Sequence, residues 1–192
     1  MTNKEIRKAA KQSILSGKSK QETFEALKGT SYHSVQSIEK MAKIIRNIPS
    51  LQARKKYKSL NVVLIVLLSL TVLFKMMSGI PIIIENGIKW FPILFILPII
   101  NILLLVGVAT YSSGSHKGVA LFTFLGLFQL IGNIVGEKFE PLILIDFAIA
   151  AGLIGLGLYL NSKLFPDYLT VKERYQDNAG KNRIRDVIKF ED

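Results

Sequence analysis

Apolar and polar positions are sorted along this chain rather than interspersed. Between residues 60 and 160 charges are sparse and long runs of Leu, Ile, Val and Phe dominate, while residues 1–59 and 161–192 are charged and broken. A globular core would mix the two kinds of position, so the segregation predicts a polytopic membrane protein. A spanning helix needs roughly 20 apolar residues. Four runs meet that length: 60–77, ended by Gly79 and Pro81; 90–111, with Pro92 near its start and Pro98 inside; 118–135; and 141–160. Between the first two, "IPIIIENGIK" is too short to span and reads as an interfacial loop, with Trp90 at headgroup level. The expectation is an all-α fold. Its core is a four-helix transmembrane bundle (60–160), preceded by a basic cytosolic module of short helices (1–59) and followed by a cytosolic tail (161–192).

The flanking segments carry helix punctuation. Thr2 followed by Glu5 is a capping-box spacing and opens a helix that should stop at Gly17; Ser19 and Glu22 repeat the pattern, with a stop at Gly29. A third helix, about 34–47, places Val35, Ile38, Met41 or Ala42, and Ile45 on one face. Ser50 can cap "LQARKKYK", which could run on into the first span. In the tail, "FPDY" stops the fourth span. "YQDNAGKNRI" holds a turn signal compatible either with a small hairpin or with two short helices.

Charge gives the orientation. Fourteen of the 25 Lys and Arg residues lie in 1–59, ending in the cluster Arg54, Lys55, Lys56 and Lys58 just before the first span. The tail carries seven, against six acids, and the loop at 112–117 has one base and no acid. By the positive-inside rule both termini and that loop face the cytoplasm, which agrees with an even number of spans. The basic cluster is suited to anionic lipid headgroups, at about 1 kcal/mol per juxtamembrane base. Residues 23–38, "TFEALKGTSYHSVQSI", resemble a helix-turn-helix, and the basic module would suit DNA. The same charge is already required by topology, so nucleic acid is the disfavoured reading. No signal peptide is visible, lysine outnumbers arginine and isoleucine is abundant; together these suggest a bacterial inner-membrane protein.

Polar side chains inside the spans are the candidate chemistry: Asn101, Gln129, Asn133 and Asp146, with Lys75 near the outer end of the first span. Phe122, Gly126, Gln129, Asn133 and Gly136 share one helix face, and so do Asp146, Ala150, Leu153 and Gly157. Ala148, Gly152 and Gly155 add a stripe of small residues that should face neighbouring helices. Asp146 lies about 7–8 Å past Pro141, and Asn101 about 16 Å into the second span. Asp146, Asn133, Gln129 and Lys75 could therefore meet in the outer half of the bundle, with Asn101 nearer its middle as the fifth polar group. They would form either an interhelical clamp or a site for an ion, a proton or a recognised polar group.

Much is excluded. There are no cysteines, and the two histidines, His33 and His116, are too few for a histidine metal site within one chain. No nucleotide loop, paired catalytic acids or Ser-His-Asp set is present, so no enzyme, cofactor or metal is expected. His116 reads as part of a short flexible turn. The leading expectation is a non-enzymatic membrane protein acting through a protein partner or as a homo-oligomer: a subunit, an adaptor or an immunity-type factor. The alternatives are an oligomeric transporter or channel using Asp146, and a membrane-tethered DNA-binding regulator using residues 1–59.

Overall fold

The structure is a computed structural model that describes residues 2–31, 35–134, 141–176 and 182–190, with side chains at all of these except 30–31, 35–36, 129–134 and 141–143. The chain divides into two compact units, Met1–Lys55 with Ser162–Asp192, and Lys56–Asn161. Nine helices and one pair of strands lie among the described residues.

The first unit is built on three short helices. α1 (Asn3–Leu15) opens on the expected capping box: Glu5 N donates to Thr2 Oγ1, and Thr2 N to the Glu5 carboxylate. It closes before Gly17, which adopts φ +100°, a conformation that favours glycine. α2 (Lys20–Ser31) carries the second capping box, Ser19 with Glu22, and continues through Gly29. α3 (Val35–Arg46) turns Met41, Ala42 and Ile45 inward. These three meet Ile6, Ala10 and Ile14 of α1, Phe24 of α2 and Ile48 in one apolar core. Lys20 is almost fully buried yet satisfied, donating to the Arg46 carbonyl at the C-terminus of α3 (3.4 Å), where a cation also suits the helix dipole.

The tail corrects the all-α expectation. Residues Tyr168–Gln176 (β1) and Asn182–Phe190 (β2) pair antiparallel, with Tyr168 opposite Phe190 and Gln176 opposite Asn182. Alternating aromatic and β-branched residues favour the pleat, and one face supplies Tyr168, Ile188 and Phe190 to the core of the same unit. Phe190 rests against Phe24 (5.6 Å between ring centroids). Gln21 holds one edge of β2, accepting from Phe190 N (3.0 Å) and donating to the Ile188 carbonyl (3.3 Å). An isolated hairpin is marginal in water, so these contacts are what make it part of the fold. On the opposite face Glu173 is gripped by Lys189 (3.0 Å) and Arg185 (3.5 Å).

α4 (Leu51–Lys56) lies almost wholly in the first unit, and the second opens with α5 (Lys58–Asn86); Tyr57 separates them, so the two are not one continuous helix. α5 also corrects the expected end of the first span. It runs straight through Gly79 and Pro81, and "IPIIIENGIK" is mostly helix rather than loop. Unwinding so apolar a stretch would leave backbone groups unpaired among hydrocarbon side chains, where each costs several kcal/mol, whereas Pro81 removes one donor. The stop comes at Gly87, with φ +87° and its N–H bonded to the Ile83 carbonyl (2.8 Å). Gly79 is instead a packing site, buried against Ile93, Leu94 and Leu97.

A single 3-10 turn (Ile88–Trp90) leads into α6 (Ile93–Ile96) and α7 (Ile99–Ala109), interrupted at Pro92 and Pro98 as proline dictates. α8 (Ser113–Ile134) absorbs most of the expected 112–117 turn, and α9 spans Pro141–Leu164. Among the described residues three stretches are long and apolar enough to cross a membrane: Lys58–Asn86, Ile88–Ala109 and Leu144–Leu164.

Two outcomes follow for the first unit. Phe24→Ala should destabilise it by about 3–5 kcal/mol and release the hairpin, read as lost amide-exchange protection on both strands of the full-length protein in detergent. Glu173 should titrate below the ordinary glutamate value, chiefly because it accepts a hydrogen bond from Lys189. Its stabilising contribution is present above the unfolded pKa and lost as pH falls through the folded one. A carbon-13 carboxyl titration with a midpoint at or above the ordinary value would contradict this.

Candidate functional site: a cavity above a pinned helix junction

At one end of the second unit the helices are locked together. Asn61 of α5 is buried, and its amide nitrogen lies 3.4 Å from the Val108 carbonyl of α7. His116 of α8 is fully buried; its Nδ1 lies 2.8 Å from the Ser112 carbonyl and its Nε2 lies 2.9 Å from Asn61 Oδ1. A carbonyl only accepts, so Nδ1 carries a proton and donates to Ser112. The ring's other nitrogen faces the Asn61 amide oxygen, which leaves the amide NH2 to donate to the Val108 carbonyl. Glycines let the backbones close around this contact. A Cβ at Gly157 of α9 would sit 3.1 Å from the His116 carbonyl, and one at Gly107 would overlap the Ser115 side chain. Leu64, Leu68, Val108, Val119, Leu153 and Leu160 of the same unit are buried as well.

Above this junction the same helices enclose a cavity of about 560 Å3. Three of them contribute matching sets at helical spacing: Thr71, Phe74, Lys75 and Ser78 from α5; Leu97, Ile100, Asn101 and Leu104 along α7 and the turn before it; Asp146, Ile149, Ala150 and Leu153 from α9. α8 adds residues between Phe122 and Leu127. Burial grades along each set. Leu104, Ala150 and Leu153 are buried and form the closed end, while Ser78, Leu97 and Asp146 are exposed at the open end. Lys75 Nζ donates to Asn101 Oδ1 at 3.0 Å.

Lys75, Asn101 and Asp146 thus border one cavity. The route to that arrangement differs from the one expected for Lys75. It lies eleven residues before the end of α5, about 16 Å, rather than beside it, because the helix continues past Pro81. Asn101 lies the same number of residues past Trp90, which brings the two side chains together. Phe122 and Gly126, the described members of the expected α8 face, line the cavity as well. The side chains of Gln129 and Asn133 lie outside the described residues. On α9, Asp146, Ala150 and Leu153 face the cavity and Gly157 the junction, whereas Ala148 and Gly155 are exposed and only Gly152, 3.4 Å from Leu67, approaches a neighbour. Small residues permit close approach without forcing it, and α9 uses one stripe of the two. Of the basic cluster, Lys55, Lys56 and Lys58 are exposed and Arg54 is partly covered.

Asn61 and His116 escape the sequence reading. Asn61 shares a face with Leu64 and Leu68, a signal that was available, but it stands at the edge of the charged flank. His116 is disguised by the Ser and Gly residues around it. Compared with protein families, curated proteins and solved structures, the chain matches none.

The junction is testable by a double-mutant cycle. Asn61→Leu should cost about 1–3 kcal/mol by stranding a buried partner. Asn61→Leu with His116→Leu should cost less than the sum of the two single changes by about 0.5–3 kcal/mol, read from thermal or denaturant unfolding in detergent. Strict additivity would show that the two side chains act independently.

Proposed function

We propose that this chain is a multi-pass protein of a bacterial inner membrane, with both termini cytoplasmic, and that it acts without catalysis through a protein partner or a second copy of itself. The cavity bearing Lys75, Asn101 and Asp146 is the observation that carries this reading. α8, at 22 residues and about 33 Å, is long enough to serve as a fourth span beside the three apolar stretches. Four spans and the crowding of Lys and Arg into the flanks then agree on one topology. In that topology the pinned junction faces the cytoplasm and the cavity opens in the outer half of the bundle. Arg54, Lys55, Lys56 and Lys58 meet anionic headgroups at the inner surface, and the role is that of a subunit, an adaptor or an immunity-type factor.

A second reading, an oligomeric transporter or channel, is favoured by one feature: Asp146 is exposed at the cavity's open end. Two measurements separate the readings. A photo-cross-linking residue at position 78, at the cavity's open end, should trap a defined protein partner or a second copy in living cells. Proteoliposomes of the purified chain should leak protons and monovalent cations no faster than protein-free vesicles. A flux present in the wild type and abolished by Asp146→Asn would overturn the interaction reading in favour of transport.

A further inference from the structure

The cavity's two charges stand on different walls, and their arrangement specifies the chemistry of a guest. Lys75 on α5 has three N–H donors as an ammonium and directs one to Asn101 Oδ1, its hydrogen-bond partner among the described residues. Asp146 on α9 has no hydrogen-bond or ion-pair partner among the described residues, although it borders the same cavity. The volume of about 560 Å3 falls in the range of small-molecule sites, about 300–1,000 Å3. The closed end is hydrocarbon, formed by Leu104, Ala150 and Leu153.

We infer that the cavity binds a zwitterionic guest with an apolar body, its anionic group on Lys75 and Asn101 and its ammonium on Asp146. The inference rests on reading this cavity as the site and adds the class of its ligand. Charge balance favours a zwitterion. Lys75 and Asp146 carry opposite charges on facing parts of one lining, so a guest of a single sign is attracted by one wall and repelled by the other. A guest carrying both signs satisfies each wall. The apolar closed end takes its hydrocarbon, which excludes small polar zwitterions by leaving that surface dry and unfilled. Two sources supply this chemistry: a phospholipid with an amine headgroup, entering from the bilayer, and a free aliphatic or aromatic amino acid, entering from water.

The test uses the full-length protein in detergent. One arm offers equal amounts of phosphatidylethanolamine and phosphatidylglycerol with identical chains and counts retained lipid by native mass spectrometry. The other offers radiolabelled leucine in equilibrium dialysis. The zwitterion should win in at least one arm: phosphatidylethanolamine retained at least tenfold over phosphatidylglycerol identifies a lipid guest, and saturable leucine binding not matched by 4-methylpentanoate identifies a free one. Asp146 is exposed, so Asp146→Asn disturbs little packing, and it should turn the preference towards the anion: phosphatidylglycerol or 4-methylpentanoate. Lys75→Gln should turn it towards isopentylamine over leucine. Equal retention of both lipids together with no leucine binding overturns the inference, as does an unchanged preference in Asp146→Asn. Such a result alongside a preserved cross-link at position 78 leaves the interaction reading standing, whereas zwitterion binding with no cross-link overturns that reading and keeps the inference.

Discussion

The contact between Asn61 and His116 is the constraint on which the second unit depends. A buried imidazole needs partners on both nitrogens, and it finds them in the Ser112 carbonyl of its own helix turn and in an amide from another helix. The Asn61 amide in turn reaches the Val108 carbonyl. One side-chain pair therefore ties α5, α7 and α8 together. α9 joins where Gly157 lets its backbone approach the His116 carbonyl. Leaving any of these buried polar groups unpaired would cost about 1–3 kcal/mol, so the junction holds a single arrangement.

The cavity follows from that pinning. Glycines at 107, 118 and 157 let helices close at the junction, while Phe74, Leu97, Phe122 and Leu125, all exposed, line the space further along. Helices joined at one end border a space with a closed apolar floor and an exposed rim. The three polar groups at 75, 101 and 146 fall on that space because each occupies the inward face of its own helix. The first unit needs none of this. Its three helices and hairpin close around Phe24, Met41 and Ile45, with Gln21 sealing part of a strand edge.

What was legible in the residues was periodicity. The cap and stop of α1, the face of α3, the sets through Phe122 and Gly126 and through Asp146, Ala150 and Leu153, and the breaks at Pro92 and Pro98 all follow from spacing and backbone chemistry. What was not legible depended on context. Pro81 ends a helix in water more readily than in so apolar a stretch, so α5 outran the rule and carried Lys75 to the level of Asn101. The hairpin needed Phe24 and Gln21, more than 140 residues away in sequence, to fix one of two compatible forms. His116 sits among Ser and Gly residues that favour turns, and only its tertiary partner Asn61 shows why the helix begins before it.

The account is most directly tested by solvent access along the bundle, which the absence of native cysteines makes simple to measure. Single cysteines at Leu68, Ser78, Val119 and Asp146 can be exposed to a membrane-impermeant maleimide in the folded, reconstituted protein. Positions 78 and 146, at the cavity's open end, should label, while 68 and 119, buried inside the unit, should label only after unfolding. Labelling at 68 and 119 at rates matching 78 and 146 would contradict a bundle pinned at one end and open at the other.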